Sequence, residues 1–177
     1  MRYIKENVLA KPNIVSLVNF LVLASIAVFI PFFIHVQWLT GSIVNAVLII
    51  ALFMVGIRSA LVLCLMPSLM ALAGGLIPPI LAPIIPFIMM ANVILVLTVD
   101  RFYYYFKNDL KGYWAGLAIG AILKFLFLYF SLSVISKLLI KQELMAKVAQ
   151  MMSWPQLATA ITGGFIAWVF LKKIKRI

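Results

Sequence analysis

Acidic, imidazole and thiol side chains are almost missing from this sequence. In 177 residues there are 4 Asp and Glu in total, one histidine, His35, and one cysteine, Cys64. A disulfide framework, an iron–sulfur cluster or a Cys/His zinc site needs more such ligands than this chain provides. The sequence also has no GxxxxGK[ST] phosphate-binding loop. We therefore expect no metal site, no cofactor and no enzymatic activity.

Charge of either sign is also scarce, and apolar residues take its place. Charged residues make up 11% of the chain and hydrophobic ones 66%, against about 25% and 45–50% in a soluble domain. The surplus apolar surface must therefore face lipid. At about 20 residues per crossing, about 117 apolar residues are enough for roughly six helices. The composition predicts a single all-α transmembrane domain over residues 1–177.

Hydropathy divides the chain into six predicted membrane spans. They cover residues 13–34, 42–57, 59–73, 80–99, 112–136 and 154–171. The second and third spans are short and meet at Arg58. A tight hairpin turning at Arg58 is favoured over one helix from 42 to 73, which would overshoot a bilayer core of about 30 Å. The first span is expected to be a membrane helix and not a cleaved signal peptide, whose apolar core is shorter, at about 7–15 residues.

The distribution of lysine and arginine predicts the orientation of these spans. Three basic residues, Lys137, Lys141 and Lys147, fall on one side of the six-span arrangement, and Lys124 lies within a span. The other eleven of the 15 fall on the opposite side: Arg2, Lys5, Lys11, Arg58, Arg101, Lys107, Lys111, Lys172, Lys173, Lys175 and Arg176. Both termini are therefore expected in the cytoplasm. Because the basic residues occur in small groups between apolar runs, the net charge of +11 indicates membrane topology and not nucleic-acid binding.

The connections on the outer side have unusual compositions. Residues 35–41 and 74–79 form short connections without Lys, Arg, Asp or Glu. Prolines at 78, 79, 83 and 86 predict an irregular start of the fourth helix, either as the wall of a cavity or as a simple kink. Residues 137–153 mix apolar and charged side chains with the spacing of an amphipathic helix, which lies either passively on the membrane interface or as a lid over a site.

The fifth span carries a stripe of small residues that ends in a lysine. Gly112, Gly116 and Gly120 recur every four residues, a spacing that lets helices approach closely in lipid. Lys124 is the next step of this stripe, so it is expected to point into the bundle. An intramembrane lysine is costly and suggests a functional site. We expect it to snorkel or to bond carbonyl groups and Asn92, to be neutralised by desolvation, or to await an anionic group of a ligand.

Other polar residues favour a pocket in the outer half of the bundle. Asn45 is placed near the outer end of the second span, Asn92 near the middle of the fourth, and Gln156 in the outer half of the sixth. The inner half offers chiefly Ser16, Asn19 and Ser68. Trp38 and Trp154 are expected either as apolar walls of the pocket or as anchors in the aromatic belt of the membrane interface.

The runs FIPFFIHVQWLTGSIVNAVLIIALFMVG and MPSLMALAGGLIPPILAPIIPFIMMANVILVLTVDRFYY resemble the membrane-embedded S component of energy-coupling factor (ECF) transporters. The resemblance extends over residues 18–171. It implies a multi-pass protein of a bacterial cell membrane that captures a vitamin or micronutrient. The partners it implies are a transmembrane coupling subunit and two ATPase subunits.

The same resemblance implies which residues meet the ligand and the partner. By position, the family's pocket corresponds to His35, Gln37 and Trp38, the 74–79 connection, and Asn92, Lys124, Trp154 and Gln156. Docking on the coupling subunit is usual through an Ala-xxx-Ala pattern on the first helix, where this chain has Ala24, Ser25 and Ala27 without that spacing. A structural or assembly protein of a larger membrane complex and a stand-alone facilitator remain alternative hypotheses.

Overall fold

The structure, a computed structural model, describes residues 14–107, 110–138 and 142–177. It describes the side chains of these residues except within 136–144 and at 147. All regular elements within these ranges are helical. They are α1 (Ile14–Phe33), α2 (Gln37–Met54), α3 (Ile57–Leu63), α4 (Met66–Ala73), a 3₁₀ turn (Pro79–Ile84), α5 (Ile85–Tyr105), α6 (Leu110–Leu138), α7 (Gln142–Met152) and α8 (Trp154–Lys173).

Five helical segments of the described chain are long and apolar enough to cross a membrane. They are Ile14–Phe33, Gln37–Met54, Pro79–Tyr105, Leu110–Ile135 and Val148–Lys173. The segment Ile57–Ala73, which contains α3 and α4, is apolar but shorter. These lengths indicate a multi-pass, all-helical membrane protein. The start of the first predicted span at residue 13 and the basic residues at 2, 5 and 11 lie outside the described residues.

The second and third spans form the predicted hairpin, with its turn two residues earlier than expected. Helix α2 ends at Met54, and α3 begins at Ile57. Gly56 between them has φ 111° and ψ 168°, a region that is essentially restricted to glycine. A single helix over 42–73 is therefore wrong, and Arg58 lies in the first turn of α3 and not at the reversal itself.

The other predicted boundaries need modest corrections. Helix α2 begins at Gln37 and not at residue 42, so most of the predicted 35–41 connection is helical. The third span is divided after Leu63, and α4 begins at Met66 with Pro67 in its first turn, where proline needs no helical hydrogen bond. The irregular start of the fourth span is confirmed as the 3₁₀ turn, followed by α5, which extends to Tyr105.

The glycine stripe packs α6 closely against α5, as predicted. A Cβ atom added to Gly112 would lie 2.9 Å from the carbonyl oxygen of Phe102, and one added to Gly116 would lie 3.0 Å from the Cα of Val99. Since residue numbers rise along α6 as they fall along α5, the two helices are antiparallel. About two further turns along α6, Lys124 lies beside the middle of α5.

A second close contact, between α2 and α8, was not anticipated from the sequence. A Cβ atom on Gly163 would lie 2.6 Å from both the Cβ of Asn45 and the carbonyl oxygen of Ser42, and one on Gly41 would lie 3.1 Å from Thr159. Residue numbers rise together along these helices, so α2 and α8 are parallel. This contact fixes Asn45 at the centre of the bundle, where its side chain is buried.

Candidate binding site

The centre of the site is Lys124, which three helices enclose. The lysine on α6 is only 2% exposed. Its Nζ donates hydrogen bonds to the Oδ1 atoms of Asn45 on α2, at 2.7 Å, and Asn92 on α5, at 2.8 Å. Because an ammonium group only donates, both asparagines must turn their oxygen toward it. The expected contact with Asn92 is confirmed, while the contact with Asn45 was not predicted.

The charge of Lys124 has no acidic partner among the described side chains. Its two hydrogen-bonding partners are neutral amides. Asp100, the one carboxylate whose side chain is described, follows Val99, which packs on Gly116. Lys124 lies eight residues beyond Gly116 on α6, or about 12 Å along the helix axis. In its protonated form Lys124 has three donors, so one remains after the two asparagines.

A cavity of about 90 Å³ opens beside this lysine. It is small compared with pockets for drug-sized ligands, which start at about 300 Å³, so a compact ligand fits it best. Its walls come from α1, α2, α4, the 74–77 segment, α5, α6 and the ends of α7 and α8. The lining residues are Pro31, Gln37, Thr40, Gly41, Val44, Asn45, Pro67, Ser68, Ala71, Leu76, Ile77, Ile88, Asn92, Lys124, Met151 and Gln156.

Two further polar groups in the cavity have unused hydrogen-bonding capacity. Asn45 points its oxygen at Lys124, and its Nδ2 makes no hydrogen bond within the described structure, nor does the hydroxyl of Ser68. Both residues are buried. In the described chain, however, no fully enclosed side-chain nitrogen or oxygen lacks a partner. These two atoms are therefore not fully enclosed, and both residues line the cavity.

The opposite end of the cavity is closed by α7 and two glutamines. The Nε2 atoms of Gln37 and Gln156 both donate to the carbonyl oxygen of Met151, at 3.0 and 3.1 Å. That carbonyl lies in the last turn of α7, where main-chain acceptors have no helical partner. Val148 and Met152 of α7 are fully buried. The predicted amphipathic helix is thus present and packs over one end of the cavity.

The structure brings five of the eight predicted binding residues together. Lys124, Asn92, Asn45, Gln37 and Gln156 all line the cavity. The ring of His35 instead contacts the carbonyl oxygen of Gly74 at 2.6 Å, in an exposed position. That contact joins the α1–α2 connection to the end of α4.

The two tryptophans contact each other outside the cavity. The rings of Trp38 and Trp154 meet edge to face, with centroids 4.7 Å apart. Trp154 is 61% exposed and Trp38 44%, and neither lines the cavity. This position agrees with interface anchors and not with apolar walls of the pocket.

Sequence reasoning misplaced Ser68, which lines the cavity although it was assigned to the inner half. Since the hairpin reverses at Gly56, α4 approaches the same end of the bundle as the start of α2. Met151 was missed because it contributes a main-chain carbonyl, which no side-chain pattern reveals. The side chains of Lys137, Lys141, Glu143 and Lys147 lie outside the described set.

The three small residues expected to dock a partner do not share one exposed face. Ala27 is buried within the chain's own core, Ala24 packs partly against that core, and Ser25 is exposed, with its hydroxyl donating to the carbonyl of Leu21. Docking through α1 stays a prediction. Large apolar side chains such as Leu17, Leu21 and Phe29 form its outward face.

The described residues contain no group of three or more His, Cys, Asp or Glu side chains that could hold a metal ion. Cys64 is a buried free thiol. Its carbonyl oxygen lies 3.5 Å from the Nδ2 of Asn92, which helps to orient that amide.

Comparison with protein-family models, curated proteins and solved structures finds no match to the chain. The assignment of a function therefore depends on the chemistry of the cavity and on the sequence resemblance.

Proposed function

We propose that the protein captures a small organic anion within the membrane, as the substrate-binding S component of an ECF-type uptake transporter. The observation that carries the proposal is the position of Lys124. Its ammonium group lines a cavity, has a free donor and has only neutral amides as partners. A carboxylate of a vitamin-like ligand would neutralise its charge and accept its remaining hydrogen bond.

The energetic reason is the cost of an unpaired charge away from water. Burial of an ion is compensated only when an opposite charge and further hydrogen bonds accompany it. Two asparagine oxygens stabilise the ammonium group but do not neutralise it. A site that served packing alone would be satisfied by an apolar residue, whereas a site for an anion needs this lysine.

We also propose six crossings, with both termini in the cytoplasm and the cavity facing outward. The basic residues at the turns of α2–α3 and α5–α6 and at the end of α8 support this orientation through the positive-inside rule. They are Arg58, Arg101, Lys107, Lys111, Lys172, Lys173, Lys175 and Arg176. The opposite end carries the cavity. The sixth crossing would be the bent segment Ile57–Ala73, about 25 Å long, which a thinned bilayer can accommodate.

Active uptake would need energy from other polypeptides, because the chain has no nucleotide-binding loop. The resemblance assigns this role to a coupling subunit and two ATPases. The alternative of an assembly protein finds support in the close glycine contacts, but these all join helices within the chain. A stand-alone facilitator would share the anion site and differ in needing no partner.

The variant Asn92→Asp tests the anion site by supplying the missing negative charge from the protein. We expect an ion pair with Lys124 to raise the thermal midpoint in detergent by a few degrees, as about 1 kcal/mol does in a chain of this size. The same carboxylate would neutralise the positive charge that attracts a ligand's anion. Affinity for carboxylate ligands should fall about a hundredfold, measured by isothermal titration calorimetry with a panel of small organic acids.

The matched control is the double variant Asn92→Asp with Lys124→Met. Without the ammonium group, the new carboxylate has no partner, so the gain in thermal midpoint should vanish. If Asn92→Asp bound organic anions as well as the unmodified protein does, anion capture at Lys124 would be untenable.

The proposed partners predict what accompanies the protein when it is isolated. An affinity-tagged copy, purified from its own membrane in mild detergent, should bring down one further membrane subunit and two ATPase subunits, identified by mass spectrometry. A stable complex that lacks any ATPase would favour the assembly hypothesis. Substrate uptake into liposomes by the isolated chain would favour the facilitator.

A further inference from the structure

We infer that the ligand has two polar ends, a carboxylate held by Lys124 and Asn45 and a hydrogen-bond donor held by the amide oxygens of Gln37 and Gln156. This inference rests on the proposed capture of an anion and names the class of anion. The class is a short carboxylic acid that carries an amide or a similar N–H group at the far end of an apolar chain.

The end of the cavity at Lys124 and Asn45 offers two hydrogen-bond donors side by side. The Nζ of Lys124 and the Oδ1 of Asn45 are 2.7 Å apart. The remaining N–H of the lysine and the Nδ2 of the same asparagine amide are therefore close neighbours. A carboxylate has two oxygens in one plane and can accept from two neighbouring donors. Asn45 is a buried residue that lines the cavity, and its Nδ2 has no partner within the described structure and is not fully enclosed.

The end of the cavity at Gln37 and Gln156 offers acceptors instead. A carbonyl oxygen only accepts, so Gln37 and Gln156 must turn their amino groups toward the oxygen of Met151. Their own Oε1 atoms then face away from it. Both residues line the cavity, and neither Oε1 has a hydrogen-bonding partner in the described chain. A ligand reaching these oxygens must bring an N–H or O–H group.

The walls between the two ends are mostly apolar. Val44, Pro67, Ala71 and Ile88 are apolar members of the lining, which also includes the hydroxyl residues Ser68 and Thr40. The hydroxyl of Thr40 donates to the carbonyl oxygen of Ile34. Such walls favour a methylene chain. A second full charge in the ligand would lose water there without gaining a partner.

The spacing of the two ends sets the length of the ligand. Gln37 and Asn45 are eight residues apart on α2, or about 12 Å along its axis. With the side-chain ends at this main-chain spacing, one hydrogen bond of about 3 Å at each end leaves roughly 6 Å for the ligand. A four- or five-carbon chain has that reach, and the small volume of the cavity agrees with such a compact molecule.

Three probes of matched length test this inference on the full chain in detergent. They are glutaramate, which has a carboxylate and an amide, glutarate, which has two carboxylates, and pentanoate, which ends in a methyl group. We expect glutaramate to bind at least tenfold more tightly than either of the others in calorimetric titrations. Pentanoate leaves the glutamine oxygens unpaired, and glutarate places a negative charge against them.

The variant Gln156→Met should reduce the preference for glutaramate over pentanoate by about tenfold, with Gln150→Met on the exposed face of α7 as its control. Equal affinities for the three probes, each dependent on Lys124, would overturn the two-ended ligand and leave anion capture standing. If other organic acids bound at Lys124 but none of the three probes did, the two-ended ligand would likewise be overturned and anion capture would stand. Failure to bind any organic anion would instead overturn the proposed function.

Discussion

Replacing Lys124 with methionine is expected to lower the affinity for a carboxylate ligand by about a hundredfold. A hydrogen bond to a charged group contributes about 1.5–3 kcal/mol, which corresponds to about ten- to a hundredfold in binding. The variant also removes the only charge in the cavity among the described residues. Methionine has a similar length and adapts to irregular spaces, so expression and helix content should persist.

The control for this variant is Lys111→Met, on the same helix but at the exposed, opposite end of the bundle. It removes the same charge without touching the cavity. Titration calorimetry of both proteins with the same organic acid separates the role of Lys124 from a general effect of positive charge. Unchanged affinity in Lys124→Met would refute its role as the ligand contact.

Replacing Gly163 with alanine is expected to destabilise the protein strongly. The new Cβ would lie 2.6 Å from the carbonyl oxygen of Ser42 and 2.9 Å from the amide nitrogen of Ala46. Main-chain atoms cannot rotate out of the way, so α2 and α8 must separate. Overpacking of this kind costs about 1–3 kcal/mol, and the shift also moves Asn45 away from Lys124.

The matched control is Gly120→Ala at the interface of α5 and α6. There the nearest atoms are the Cδ1 of the flexible Leu95 side chain, at 3.2 Å, and the carbonyl oxygen of Leu95, at 3.3 Å, so a shift of a few tenths of an ångström accommodates the methyl group. Thermal unfolding in detergent should place Gly163→Ala well below Gly120→Ala, and ligand affinity should fall only in the former. Equal stability of the two variants would mean that the α2–α8 contact is looser than described.

The position of Lys124 could be predicted because it depends on spacing along one helix. Glycines at intervals of four mark the packed face of α6, and one further step of four residues beyond Gly120 leads to the lysine. Its contact with Asn92 follows from similar depth in neighbouring spans. The hairpin was also predictable, because a helix of its combined length does not fit a bilayer.

The contact with Asn45 depends on a boundary that hydropathy does not resolve. With α2 starting at residue 42, Asn45 would lie near the end of its helix. The observed start at Gln37 places Asn45 two turns inside, at the level of Lys124. Residues 37–41 include glutamine, threonine and glycine, which lower the local hydropathy although the backbone is helical.

The packing of α8 on α2 was not predictable for a different reason. It joins residues more than a hundred positions apart, and Gly163 and Gly164 have no regular repeat that would mark a packed face. The closure of the cavity at Met151 has the same long-range character. Pairings of this kind depend on the arrangement of whole helices and not on local periodicity.

The chain order of the lysine and its two partners has a consequence for how the protein enters the membrane. Asn45 and Asn92 precede Lys124 in the sequence, so ribosomes deliver both amides to the bilayer before the charged helix arrives. A lysine at the centre of a helix costs about 3 kcal/mol during insertion by the translocon. When α6 enters the bilayer, Lys124 can therefore donate hydrogen bonds to the two asparagine oxygens that are already there. These bonds reduce the cost of placing the lysine in hydrocarbon.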